Sequence, residues 1–258
     1  MLGRTMTQPR ECKLYVLPAS HPCAAVEAAM GIKGVSYESV VLLPLSQLII
    51  GPLRFGGITV PAMRVDGARV VGSRAIMRKL DQLEPEPPLL PADEDLRARV
   101  LDVERWGDEV LQSAVRRILD AGWLREPGSL EGYAGDAKLP LPRPMLRPAM
   151  PLTARLMAIR NHVNDDAARA DVRALPAQLQ RIDEWIAEGV LGGDQPNAAD
   201  LQVGSSLRLL RTVADVRALV DSHEASSLTR HFPPAAGEIA AGVLPAEWLT
   251  EGSLSGAA

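Results

Sequence analysis

Apolar positions change their period about a third of the way along the chain. Through residues 12–83 short strand-like and helix-like segments alternate, whereas beyond residue 92 apolar residues recur at the three- and four-residue spacing of amphipathic helices. Residues 12–17 (CKLYVL) read as a short apolar strand, 18–23 as a turn, 24–33 as a helix ending at Gly34, and 35–42 as a second strand. Residues 44–57 carry Gly51-Pro52 and Gly56-Gly57 and read as irregular. Two further strands, 58–65 and 68–71, flank Asp66-Gly67, a pair that accepts the positive φ angles of a tight hairpin. A helix opened by Ser73 then places Ile76, Leu80 and Leu83 on one face. The order is βαβ, an irregular stretch, then ββα.

Four prolines between Pro85 and Pro91 preclude both helix and strand, so this stiff segment marks the expected boundary between a first domain, 1–86, and a second, 92–258. The second reads as all-helical. Its first run, 92–123, is long and amphipathic; 124–151 reads as a loop with six prolines and three glycines; further helices are expected at 152–163, 175–188, 198–210 and 214–220. The stretch after residue 222 shows no assignable period.

Composition narrows the function classes. With 47% hydrophobic residues, 23% charged and a net charge of −4, the 258-residue chain has a globular balance and no basic excess for a nucleic acid. Aromatics make up only 3%, so base-stacking platforms are not expected and the core must rest on aliphatic side chains. Cys12 and Cys23 cannot build a disulfide framework, and no Cys/His spacing supplies a zinc site; no metal is expected. Residues 1–13 lack the apolar run of a signal peptide and no later stretch is apolar for about 18 residues, so a cytoplasmic protein with no membrane partner is expected. Of 28 basic residues only four are lysines (Lys13, Lys33, Lys79, Lys138), a bias suggesting a high-GC coding genome.

Candidate chemistry gathers where strands hand over to helices. Ser20-His21-Pro22-Cys23 lies between the first strand and first helix, where free amides and the helix dipole favour an anion such as a thiolate. With serine in the first position of the C-x-x-C pattern, dithiol exchange is disfavoured. Ser20 has two readings: a helix cap, or a hydroxyl that donates to a thiolate brought by a cosubstrate. Cys23 in the first helical turn reads as a small buried hydrophobe, and His21 as a solvent-facing side chain or an assistant to the thiol. Thr59-Val60-Pro61-Ala62 sets a proline beside a strand, where a cis peptide would leave the Val60 backbone free to pair with an extended ligand. Gly72-Ser73 starts another helix whose amide and hydroxyl suit a carboxylate. Together these form a groove for a short, acidic, thiol-bearing peptide. Arg74 and Arg78, four apart, read as a solvated face or as an added contact to that ligand. Asn197-Ala-Ala-Asp200 is a capping box, a folding signal rather than a catalytic one.

These motifs, in this order and spacing over residues 12–220, resemble the cytosolic glutathione S-transferases, in particular the serine-type theta- and zeta-like classes. The resemblance implies a thioredoxin-like α/β first domain followed by an all-α helical-bundle domain. It implies Ser20 as the catalytic residue that orients the glutathione thiolate, with Val60 and a cis Pro61 holding the cysteinyl backbone. Ser73 would bind the γ-glutamyl carboxylate, and His21, Cys23, Gly72 and Arg74 would border the same site. Trp106, Asp108, Arg116 and Trp123 fall on the long helix that lines the electrophile pocket in similar proteins. The implied activity joins glutathione, or a related low-molecular-weight thiol, to a small hydrophobic electrophile, with no permanently bound cofactor. The implied assembly is a homodimer. Two departures stand out: Gly72 replaces the usual acidic or Gln residue, and the Pro-rich stretch 124–151 is long. The alternative is a non-catalytic dimer of the same fold, acting as a ligand-binding or protein-interaction module.

Overall fold

The computed structural model describes residues 11–139 and 141–249. The first domain holds a four-stranded sheet in the order β2-β1-β3-β4. Strand β1 (Cys12–Val16) runs parallel to β2 (Glu38–Val41) and antiparallel to β3 (Ala62–Val65), which forms a hairpin with β4 (Ala68–Val71). The hairpin turns on Asp66 (φ 48°) and Gly67 (φ 83°), the two positive φ angles that an Asp-Gly pair accepts. Strand alternation divides the core. Leu14, Val16, Met63 and Val65 face α1 (His21–Ile32) and α3 (Ser73–Leu83), while Tyr15 and Ala62 face α2 (Gln47–Arg54) and the buried Phe55 ring. This is the thioredoxin-like arrangement.

Several elements differ from the expectation. Helix α1 starts at His21 rather than residue 24, because Pro22 fits the first turn, where its missing N–H removes no intrahelical bond. The stretch 44–57 is not irregular throughout: α2 forms across Pro52, and Gly51 is required because a Cβ there would collide with the Gly57 carbonyl and the Phe55 ring. Strand β3 begins only at Ala62, since Pro61 has no N–H for a ladder; the Val60–Pro61 peptide is cis.

Buried Lys33 fixes the proline segment to the first domain. Its ammonium donates to the carbonyls of Glu84 (2.7 Å), Pro85 (3.3 Å) and Pro87 (2.6 Å) and pairs with Asp81 at 2.6 Å. The long helical run beyond it is α4 (Glu94–Trp106) continuing through one wide turn, Gly107–Leu111, into α5 (Gln112–Arg125). The expected loop 124–151 contains a 3₁₀ segment, Pro127–Ala134, then the short helix α6 (Arg143–Leu146) and the start of α7 (Met150–Arg160). Helix α8 (Asp165–Ala187) begins ten residues before its expected start. Asn164 caps it through the Ala167 amide, and Pro176 inside the helix disguised its first half. Helix α9 (Ala198–Leu210) has its capping box: Asn197 accepts from the Asp200 amide at 3.1 Å, and Asp200 accepts from the Asn197 amide at 2.9 Å. Helix α10 (Ala214–Asp221), a 3₁₀ turn at Glu224–His231 and α11 (Ala246–Leu249) complete the bundle.

Helix α9 is buried almost throughout. Val203 and Leu207 lie in the helical core, whereas Ala198 and Leu201 belong to the core of the first domain. Among the described residues no helix is long and apolar enough to cross a membrane.

Candidate active site

Between the two domains lies a cleft of about 390 Å³. Its first-domain wall consists of the β1–α1 turn with Ser20 and His21, the loop with Thr59, Val60 and Pro61, and Gly72-Ser73 at the start of α3. Ser20 occupies the N-cap position of α1, but its side chain bonds none of the helix amides; its own amide donates to the Leu17 carbonyl at 3.2 Å. The Ser20 hydroxyl instead lies within reach of the Cys23 thiol, and it and the Leu17 backbone favour the ionised sulfur against the burial that opposes it. Burial pushes that thiol up to about 12, so Cys23 stays protonated at neutral pH. A protonated thiol is a weak acceptor, so Cys23 holds the Ser20 O–H only weakly and the hydroxyl can turn to a better acceptor. Val60 precedes the first paired residue of β3, Ala62, so it lies outside the ladders that β3 makes with β1 and β4.

His21 is not solvent-facing. It is buried, its Nδ1 lies 2.9 Å from the Ser206 hydroxyl on α9, and burial followed by the Arg116 charge holds its pKa well below the ordinary histidine value. It is therefore a neutral strut between the domains. Ser73 is also committed across the interface: its hydroxyl donates to Gln202 Oε1 at 3.0 Å, and Gln202 Nε2 donates to Gln112 Oε1 at 2.9 Å. A carboxylate arriving at α3 would meet backbone amides rather than a free serine hydroxyl. Gly72 has φ 94°, in the region that L side chains rarely adopt, so the acidic or Gln residue expected there would be strained.

The helical-domain wall carries Asp108, Gln112, Arg116, Leu119 and Trp123 from the α4–α5 run, with Met157, Arg160 and Asn161 from the end of α7. Beneath it lies Asp120, fully buried, one carboxylate oxygen accepting from Asn161 Nδ2 at 2.5 Å and the other without a partner. Burial raises Asp120 to about 6 against the opposing effects of Asn161 and Arg116. Burial likewise lowers the Arg116 pKa, opposed by the charges of Asp120 and Asp108, and raises the Asp108 carboxyl.

Residues 14–88 match the family described as the glutathione S-transferase N-terminal domain. That match covers the sheet-bearing first domain and makes residues 14–88 similar to a glutathione S-transferase N-terminal domain. The chain is 30% identical over 111 residues to maleylacetoacetate isomerase of Mus musculus, an alignment covering 40% of this chain and 48% of that protein. The chain thus spans about half the length of the curated relatives it matches. Its fold is shared with FzlA from C. crescentus (18% identity, TM-score 0.57, 84% of each chain). It is shared also with a maleylacetoacetate isomerase from Anaeromyxobacter dehalogenans solved with dicarboxyethyl glutathione and citrate in its active site (23% identity, TM-score 0.52, 87% and 86% covered).

Within this fold the cleft gathers Ser20, His21, Val60, Pro61, Gly72, Ser73, Asp108, Arg116 and Trp123. Three other candidates lie elsewhere. Cys23 is buried behind Ser20 in the first-domain core. Arg74 turns to α4 and the following turn, 3.8 Å from Glu104 and Asp108 and 3.7 Å from Glu109, and with Arg78 it faces the fully buried Glu104; the pair is an interdomain ionic contact rather than a solvated face. Trp106 packs edge-on against Trp185 at 5.0 Å in the helical core. Sequence reasoning missed Gln112, although it stands midway between Asp108 and Arg116 at helical spacing. Arg160 and Asn161 had no comparable signal, because only the tertiary packing of α7 brings them to the cleft.

Proposed function

We propose that the cleft binds a low-molecular-weight thiol, glutathione being the reference compound, and that the chain is an enzyme using it on a small electrophile. The observation that carries this reading is the Ser20 hydroxyl: it sits at a helix N-terminus in the cleft, makes no cap bond, and has the protonated, weakly accepting Cys23 thiol beside it. Donation from Ser20 to the ligand sulfur favours the thiolate, and the α1 dipole adds to it. The thiolate then needs mainly proximity. Its lone pair forms the sulfur–carbon bond while a leaving group departs, or while an acceptor π pair shifts and takes a proton from solvent. The Val60 backbone, outside the sheet ladders, suits the extended cysteinyl part of the thiol. Homology to maleylacetoacetate isomerase over 111 residues supports glutathione-dependent chemistry.

A second reading is favoured by one observation. With Gly72 in the usual acidic or Gln position and the Ser73 hydroxyl donated to Gln202, the γ-glutamyl end has fewer side-chain partners, as in a binding module without turnover. Calorimetric titration with glutathione beside other low-molecular-weight thiols tests the main reading. Saturable binding of one thiol, weakened by Ser20→Ala, is the expected result; absence of binding by any of them refutes it. We also propose a homodimer built on the first-domain surface around α2, where Ile49 and Leu53 are 79% and 81% exposed.

A further inference from the structure

Residues 137–164 contain five basic residues and no aspartate or glutamate, in a chain whose net charge is −4. Among the described residues only one of the five, Arg147, has an acid partner, Glu131 at 2.7 Å; Arg143 donates to the Gly135 carbonyl, while Lys138, Arg155 and Arg160 are exposed and bond no neighbour. The same stretch exposes Leu141, Met145, Leu152, Leu156 and Ile159. Helix α7 is inverted relative to an ordinary surface helix: the small Ala154 and Ala158 are buried, and the large side chains point out, Leu152 60% and Ile159 70% exposed. At 3.6 residues per turn Leu152, Leu156 and Ile159 fall within about 60° of one another, with Arg155 on one side of the stripe and Arg160 on the other. A helix lying in the plane of a bilayer has this layout, its apolar stripe entering the acyl boundary and its long cations reaching the headgroups.

We propose that the outer face of α7, with Leu141 and Met145 before it, docks on an anionic lipid bilayer. Charge selects this occupant. A second copy in a two-fold contact would set Arg155 against its own like charge. A nucleic acid would pair the cations and leave the apolar stripe in water, and a protein surface mixes both signs of charge. An anionic bilayer presents one sign over its whole extent, with an apolar layer beneath, and a segment without a single acid matches that. The expectation of no membrane partner rested on spanning and leader segments, and a helix lying on the surface needs neither. The inference does not depend on the thiol reading. Met157 and Asn161, at the end of α7, line the cleft, so docking here sets the cleft beside the lipid.

The test is cosedimentation of the full chain with sucrose-loaded vesicles of phosphatidylcholine alone, or with roughly one-third phosphatidylglycerol, at low and high salt. Partition into the anionic vesicles about tenfold or more above the neutral ones, weakened by salt, is expected. Each cation near an anionic surface contributes about fivefold, so Arg155→Glu, a change of two charges, should lower partition by about tenfold or more. Ile159→Glu should abolish it by keeping the stripe out of the acyl boundary. Both residues are exposed, and Leu152→Glu supplies the same readout if Ile159→Glu melts early. No partition, equal partition into both vesicles, or partition that survives Arg155→Glu and Ile159→Glu overturns the proposal. Where vesicles are not bound, two further results would reassign the face. A parent that sediments as a larger species than Ile159→Glu gives it to a second copy; binding of polyglutamate that is lost in Arg155→Glu gives it to an acidic protein.

Discussion

Replacing Ser20 by Ala separates a thiolate donor from a helix cap, and the geometry around it sets the sizes of both effects. Because the Ser20 side chain bonds no amide of α1, its removal should cost less than the roughly 1 kcal/mol typical of a lost N-cap, and the melting temperature should barely move. The bound thiol loses one hydrogen bond that is strongest when sulfur is ionised, about 1.5–3 kcal/mol, so its pKa should rise by about one to two and turnover near neutral pH should fall roughly tenfold to hundredfold. Raising the pH should restore part of the rate, since the thiol then ionises unaided. Cys23→Ala should leave the profile in place, because that thiol is buried and pushed up to about 12. The assay follows ultraviolet thiolate absorbance of the bound cosubstrate against pH in all three proteins, alongside melting curves. An unmoved titration in Ser20→Ala, or a large shift in Cys23→Ala, would refute the assignment of the sulfur contact to Ser20.

Asp120 gives a prediction with a definite pH window. Its folded pKa, about 6, lies above the unfolded value near 3.9, so between about pH 4 and 6 the folded state holds a proton that the unfolded chain has lost, and stability falls as pH rises. Above pH 6 the penalty is complete, roughly 3 kcal/mol. Asp120→Asn should therefore melt higher than the parent at pH 8 and close to it at pH 4; parallel curves would contradict the burial argument. For the assembly, Leu53→Lys places a charge on the apolar α2 surface and should shift sedimentation from dimer to monomer at micromolar concentration. A parent chain that already sediments as a monomer would remove that proposal.

The first domain was readable in the sequence wherever local rules and tertiary structure agreed. Asp66-Gly67 marked its hairpin because only a few residue pairs accept two positive φ angles, and Asn197 with Asp200 marked the start of α9 because the capping box satisfies itself locally. Proline misled in both directions. Pro52 and Pro176 sit inside helices that tertiary packing sustains against their local preference, while Pro61 shortened a strand that hydrophobic alternation would have extended. At the site, residues contributed by chain turns were visible because helix N-termini and a proline beside a strand have local signatures. His21 was misplaced because its partner, Ser206, is 185 residues away, and Arg74 because the acids it faces lie on α4 and the turn after it. No window along a sequence contains such pairs.

The bonds from His21 to Ser206 and from Ser73 to Gln202 also limit how the molecule can be divided. Both residues beside the proposed thiol position are anchored on one buried helix that belongs by sequence to the second domain, and that helix lends Ala198 and Leu201 to the core of the first. A fragment ending within the proline segment would keep every strand of the sheet and all of the Ser20 turn, yet expose the apolar seat of α9 and leave His21 and Ser73 without their struts. The proposed thiol site is therefore not a portable cassette. Its shape can drift through substitutions at Gln202 or Ser206, and changes of specificity can arise at positions that never touch a ligand.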